Sequence, residues 1–358
     1  MDLKDILAAL GVLLDSLPQG LLAMSFGFAA LPSAIGFGIG AIFSLLWQLP
    51  TPISFQAETT IAAGGLGRNV QERISIIVFA GIAMVILGIT GTIEAIVNFI
   101  GTDILYGMLA GVGIILVKAS IDLLKTNLPG GITSFAVAIP VYLLTESLIY
   151  ACVFSVIVGT VIYHIYNYIQ KNRGKEIELA SYDTVEKFKL VKLLTNFRIV
   201  RGALAIITLQ IGGNITYGTI TAGMSGSTVD LDKLSIVGGL ATTASGMFGG
   251  APLASIISAT GESPNPVTSG VLLMALAAII IGSTLFYKFG KLVPVSAVGG
   301  FLFVLGATVV FPTYGVLAMD AENPVVSGVT TVVTAVTDPF LGMVAGVLVR
   351  AFLAIFGL

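Results

Sequence analysis

Gln48-Leu-Pro50-Thr-Pro52-Ile-Ser54-Phe-Gln56-Ala-Glu58 and Gly249-Gly-Ala-Pro252-Leu-Ala-Ser255-Ile-Ile-Ser258 are the two stretches on which the fold turns. Each is introduced by proline, each opens a short apolar segment, and they stand at matching places in the two halves of the chain. Proline removes a backbone donor and glycine admits unusual backbone angles, so each stretch is expected to begin as extended chain and continue as a half-helix. Paired short, Pro/Gly-interrupted segments are the sequence pointer to a midplane solute site in a carrier built from repeats. The start of a half-helix offers unpaired N–H groups and the positive end of a dipole to an acceptor on the solute. The competing reading makes them kinked helices without a ligand, and the matched positions weigh against it.

Working outward, apolar stretches long enough to approach a membrane crossing lie near 6–33, 35–49, 74–98, 103–124, 132–147 and 148–169, with the short 53–66 among them. A polar, charged linker over 171–196 follows. The pattern restarts at 199–222, 234–248, the short 251–262, 267–287, 292–311, 324–337 and 339–356. The expectation is an all-α polytopic membrane protein of about fourteen spans. Residues 1–170 form a first repeat and 197–358 a second, inverted because each half holds an odd number of spans, with the third and tenth spans as short half-helices.

Composition agrees. Of 358 residues, 56% are hydrophobic and 10% charged, with a mean hydropathy of +1.02; a soluble domain carries about 25% charged residues. The net charge of −2 gives nucleic acid nothing to bind. A single cysteine, Cys152, and a single histidine, His164, exclude a disulfide framework and leave no ligand set for zinc or haem. No nucleophile–base pair can be assembled, and the glycine runs lack the lysine of a phosphate loop. No enzyme activity, metal or cofactor is expected. The 43 glycines suit close helix packing in lipid.

Within this frame the polar residues inside spans are the candidates for function. Glu58 is foremost, as an anchor for N–H groups of a heterocycle or as a proton carrier; the bland alternative puts it at a wet interface near Arg68. Gln210 and Asn214 are spaced i, i+4 and share a helix face, where amides supply donors and acceptors together; interhelical hydrogen bonding competes equally. Ser54, Gln56, Ser255 and Ser258 are placed to complete a site, and Phe26 to stack on a flat solute. Glu262 reads either as a displaced acid with a part in proton coupling or as a loop residue.

Several of these stretches resemble a family. Gln48 to Ala63, Leu87-Gly-Ile-Thr-Gly-Thr-Ile-Glu94-Ala-Ile, Leu109-Ala-Gly-Val-Gly-Ile, Gly249 to Gly261 and Val293-Pro-Val-Ser-Ala-Val are similar to the nucleobase–cation symporters, above all the AzgA-like hypoxanthine/guanine permeases. Sulfate permeases and molybdate- or benzoate-type carriers share that fold. The resemblance implies a seven-plus-seven inverted repeat with interleaved core and gate domains, a multi-pass protein of the cell membrane, and a site between the third and tenth spans. It implies a purine-type base as solute, a coupling cation with the proton first, and a homodimer. The chain departs from it where those carriers place acids: counting six residues from the entry proline gives Ser258 on the tenth span, and Thr208 to Thr216 on the eighth holds no acid. The same count on the third span gives Glu58. The alternatives are an oxyanion or benzoate-type carrier of the same fold, or a non-transporting channel or assembly component. Basic residues cluster after odd-numbered spans, which puts the linker in the cytoplasm; the resemblance puts the termini there instead.

Overall fold

The computed structural model describes residues 1–172, 189–283, 285–286 and 292–356; the middle of the expected linker, 173–188, lies outside them. The chain opens on α1 (Leu3–Ser25), started by Asp2 and Asp5, whose side chains reciprocally cap its first turn. α2 (Ser33–Trp47) ends where Gln48 turns left-handed at φ 53° and Pro50 forbids continuation. Extended chain follows as β1 (Ile53–Phe55), then α3 (Ala57–Leu66). Asn69 caps α4 (Val70–Ile89) by accepting from the Glu72 amide. Next come α5 (Thr92–Thr126), α6 (Leu128–Thr145) and α7 (Leu148–Asn172). The second half begins with α8 (Phe197–Met224) and α9 (Leu231–Met247), capped by Asn196 and Asp230. It continues through β2 (Leu253–Ser255), a 3-10 turn (Ala259–Glu262) and α10 (Pro266–Gly282). α11 (Val295–Met319), α12 (Pro324–Val336) and α13 (Pro339–Phe356) complete it.

Among the described residues, eight helices are long and apolar enough to cross a bilayer: α1, α4, α5, α6, α7, α8, α11 and α13. α2, α10 and α12 are shorter apolar helices. The chain is a multi-pass membrane protein.

Four details differ from the sequence reading. The protein is not purely helical, because β1 and β2 pair antiparallel, with Ser54 opposite Ala254 and Ile53 opposite Ser255. The tenth segment continues from its strand into a four-residue 3-10 turn, not an α-helical half. The expected span 74–98 stops at Ile89; Gly91, at φ 67°, turns the chain and Thr92 starts a new helix that bends at Gly101, φ 70°. The span expected over 292–311 extends to Met319 through a π-helical stretch, Leu305–Val310.

The strand pair exists for a physical reason. Extended backbone at membrane depth must find partners within the protein. β1 and β2 supply one another, the Ile256 amide reaches Pro52 O at 3.3 Å, and Thr242 on α9 brackets the other edge of β2 by exchanging bonds with the Leu253 amide and carbonyl. All six strand residues are buried.

Around this centre α4 packs on α9 and α2 on α10, while α5 packs on α12 and α6 on α11. Glycine sets the closest of these approaches. A Cβ on Gly239 would stand 2.6 Å from the Gly81 carbonyl oxygen, and one on Gly81 2.8 Å from that of Gly239. Gly239→Val is therefore expected to force α4 and α9 apart and to cost about 1–3 kcal/mol. A melting curve of the purified protein checks this; an unchanged midpoint would show that the two helices part without loss. The chain entering α8 is tied to the same pair, with the Val191 amide on Met247 O and Leu194 N on Ser75 Oγ.

Candidate functional site

The site is built where β1 hands over to α3. Gln56 occupies the helix-cap position of α3 in extended conformation, and its side chain makes no cap to the helix amides. It is turned instead toward the other half of the chain, with Nε2 3.5 Å from Ser255 O and Oε1 accepting from Thr59 Oγ1. The first amides of α3 are thus left uncapped by the Gln56 side chain. Glu58 is the second residue of α3; its side chain lies outside the described atoms.

α8 supplies the opposing wall. Asn214, buried, accepts from Ser255 Oγ at 2.6 Å and donates to Ser235 Oγ on α9 at 2.9 Å. Its amide therefore pins β2 to two helices and fixes where the strand pair sits. Gly213, one residue before, passes close to Gln56: a Cβ there would lie 3.8 Å from Gln56 Nε2. One turn earlier, Gln210 is buried with its Oε1 unpartnered among the described residues, as are Ser54 Oγ and Thr60 Oγ1. Unpartnered buried polar atoms cost about 1–3 kcal/mol each, and a polar solute is one way to satisfy them.

The tenth segment is held tightly. Ser258 Oγ meets Thr260 Oγ1 at 2.7 Å and accepts from the Thr260 amide, and the Ser258 amide donates to Thr221 Oγ1 on α8. Ser258 thereby serves as the cap of the 3-10 turn and is buried, its hydroxyl directed to its own turn.

The structure thus joins Gln56, Ser255 and Asn214 in one chain of contacts, with Ser258 three residues past Ser255 and Gln210 one turn before Asn214 on α8. Ser54 stands opposite Ala254, on the other face of the strand pair from Ser255. Two expected members stand elsewhere. Phe26 sits at the end of α1 against Gly64, near the far end of α3, with the Arg73 guanidinium 5.8 Å over its ring. The sequence placed an aromatic there; the turn after α1 directs it to the α3–α4 corner, where Arg73 Nη1 donates to its carbonyl at 2.6 Å. Glu262 is engaged at the start of α7, accepting from Ser147 Oγ at 3.2 Å and the Ile149 amide at 3.0 Å. A carboxylate at a helix N-terminus satisfies orphan amides, which accounts for an acid beside this span without a role at the solute. Phe55, which faces away from Ser54, packs on Phe37 and Phe286 and backs the strand.

Thr59, Thr60, Thr221 and Ser235 were not singled out from the sequence. Hydroxyls inside spans usually bond their own helix carbonyls, and only the crossing of segments reveals which ones do not. Among the described residues no lysine or arginine makes a hydrogen bond to any of these side chains, and no cluster of metal-ligating side chains occurs.

The fold has solved counterparts. The transmembrane domain of a cyanobacterium bicarbonate transporter, BicA, superposes with a TM-score of 0.63 at 14% identity, covering 96% of this chain and 97% of that one. The chain shares the fold of that domain. SLC26A9 matches with a TM-score of 0.61 at 14% identity over 99% of this chain and 65% of that one. The murine Slc26a9 anion transporter, in its inward-facing state, matches with a TM-score of 0.57 at 16% identity, over 99% and 68%. This chain spans about two thirds of the SLC26A9 chains and nearly all of the BicA domain. No protein-family model and no curated protein matches the sequence. At these identities the likeness is one of fold.

Proposed function

We propose that this chain is a secondary active transporter and that its solute binds between β1–α3 and β2 with its 3-10 turn, against Gln210 and Asn214 of α8. The observation that carries the reading is the contact chain Gln56–Ser255–Asn214, which joins both short segments to α8, with Ser54 Oγ, Thr60 Oγ1 and Gln210 Oε1 buried and unpartnered on the same elements. In this reading the third and tenth segments count as crossings, giving fourteen in two inverted sets of seven. The packing supports that: α4 on α9 and α2 on α10 exchange under a shift of seven segments, and so do α5 on α12 and α6 on α11. The segments that carry the site, α1–α4 and α8–α10, form the core; α5–α7 and α11–α13 form the gate against which it moves.

A small oxyanion is the leading solute. The lining is hydroxyls and amides, the α3 amide dipoles point into it, and the eighth and tenth segments offer no carboxylate, since Glu262 is spent on α7. The fold neighbours include a bicarbonate transporter and an anion transporter. The second reading is a purine-type nucleobase. It is favoured by the free acceptor of Gln210, which wants an N–H, and by Glu58 at the start of α3. Thermal stability of the purified protein against sulfate, molybdate, bicarbonate, benzoate, purines and pyrimidines separates them. A true ligand in hundredfold excess over its dissociation constant adds about 2.7 kcal/mol. Stabilisation by oxyanions alone supports the first reading and by a base alone the second. A flat response to the whole panel would reject both.

A further inference from the structure

Asp15 lies midway along α1 and is 7% exposed. Its Oδ1 has no hydrogen-bond partner among the described residues, and no salt bridge reaches it. One turn before it, Gly11 rests on α7: a Cβ there would stand 3.0 Å from Val153 and 3.3 Å from Cys152 Sγ. Asp15 and Cys152 are electrostatic neighbours across this contact. On another side of α1, Leu13, Ser16 and Leu17 close with Phe55, Ala277 and Phe286 around a small apolar crevice. The helix that bears this carboxyl is therefore wedged between α7 and the strand that leads into the solute site.

The groups able to answer a charge here are few. α7 contributes Cys152 and, a little before it, Tyr150; α10, β1 and the Val295–Val298 turn contribute nothing ionisable. The 3-10 turn contributes Glu262, already bonded to Ser147 and Ile149, and α3 contributes Glu58. On α1 itself Asp2, Lys4 and Asp5 stand at its far start. None of the described residues packed around Asp15 is a cation.

An ionised carboxylate without a counter-charge is costly in such packing, whereas a carboxylic acid is not. We infer that Asp15 is the proton-carrying group of the transport cycle, protonated while α1 and α7 are packed together and releasing its proton to water when they part. The proton comes from the aqueous phase on one side and leaves to that on the other, so closing the interface consumes one proton and opening it frees one. This rests on the transporter reading above, and it gives the coupling role to a residue on neither short segment.

The test compares the purified full chain with Asp15→Asn, which keeps the shape and cannot titrate, and with Asp15→Glu. Melting midpoints are measured in detergent from about pH 5 to about pH 8. Because protonated Asp15 belongs to the packed form, the wild-type midpoint is expected to fall relative to Asp15→Asn as pH rises, by about 2–4 °C, with Asp15→Glu following wild type. Coincident profiles for wild type and Asp15→Asn overturn the inference, whether or not the protein transports. In proteoliposomes, radiolabelled sulfate and hypoxanthine exchange at equal pH reports the transporter reading alone. With a pH gradient imposed, wild type is expected to accumulate the transported probe, while Asp15→Asn exchanges it without accumulation. Gradient-driven accumulation by Asp15→Asn overturns the inference and leaves the transporter reading intact.

Discussion

Glu58→Gln is expected to raise the affinity for sulfate or bicarbonate about tenfold if the solute is an oxyanion, a change of about 1.4 kcal/mol. The same substitution is expected to abolish stabilisation by a purine if the solute is a base. Glu58 is the second residue of α3, in the first turn of the helix that follows Gln56. A carboxylate in a first turn is itself stabilised by the helix dipole and repels any second anion brought to the same amides. Neutralising it removes that repulsion while leaving an amide able to hydrogen-bond. A base held through its N–H groups loses its anionic acceptor instead, an interaction of about 1.5–3 kcal/mol. Isothermal titration of sulfate and hypoxanthine against both proteins reads the two signs directly. Unchanged affinity for both would place the solute away from the start of α3.

Asn214→Ala is expected to have the second largest effect and to act on fold and site at once. The side chain accepts from Ser255 Oγ and donates to Ser235 Oγ, and both hydroxyls are buried. Removing it strips the Ser255 hydroxyl of its acceptor and opens a gap between α8, α9 and β2. An unsatisfied buried group costs about 1–3 kcal/mol, so the melting midpoint should drop by about 4 °C or more. The register of β2 against β1 also loosens, because Ser255 is the residue opposite Ile53. Solute binding should therefore fall further than stability. Binding retained in a destabilised variant would show that Asn214 fastens the strand without shaping the site.

Much of the fold was legible before any coordinates. Long apolar runs at 74–98, 103–124 and 199–222 read as spans, since so few charges interrupt them, although the first of them stops at Ile89. The proline-led entries at Pro50-Thr-Pro52 and Pro252 announced extended chain, and β1 and β2 begin directly after Pro52 and Pro252. What followed each strand was less legible. Ala57–Leu66 makes an α-helix, while Ala259–Glu262 makes one 3-10 turn, although both segments are short, polar at the start and rich in small residues. The difference lies in the close approach of Gly261 to Thr221 of α8, where a Cβ on Gly261 would collide with the Thr221 carbonyl oxygen and only a single tight turn fits.

The site was partly legible for the same reason. Polar residues in spans are expensive, so Gln56, Gln210, Asn214 and Ser255 drew attention by type alone. Phe26 and Glu262 did so too and belong to other tasks, an α3–α4 corner and the start of α7. Asp15, buried on one face of α1, was not among the candidates the sequence offered. Only the packing of α7 onto Gly11 shows that this face is covered.

By itself the sequence determined that this chain lives in a bilayer and that two proline-led segments interrupt its apolar runs. Those properties follow from local rules: hydrophobic transfer residue by residue, and the backbone restrictions of proline and glycine. The tertiary structure alone decided that the two interruptions pair as strands, that Asn214 ties them to α8 and α9, and which of many hydroxyls remain unpartnered at their crossing. Hydrogen-bond satisfaction in an apolar interior is settled between segments some two hundred residues apart, as Gln56 and Ser255 are, and nothing in either segment's own composition states which partner it will meet.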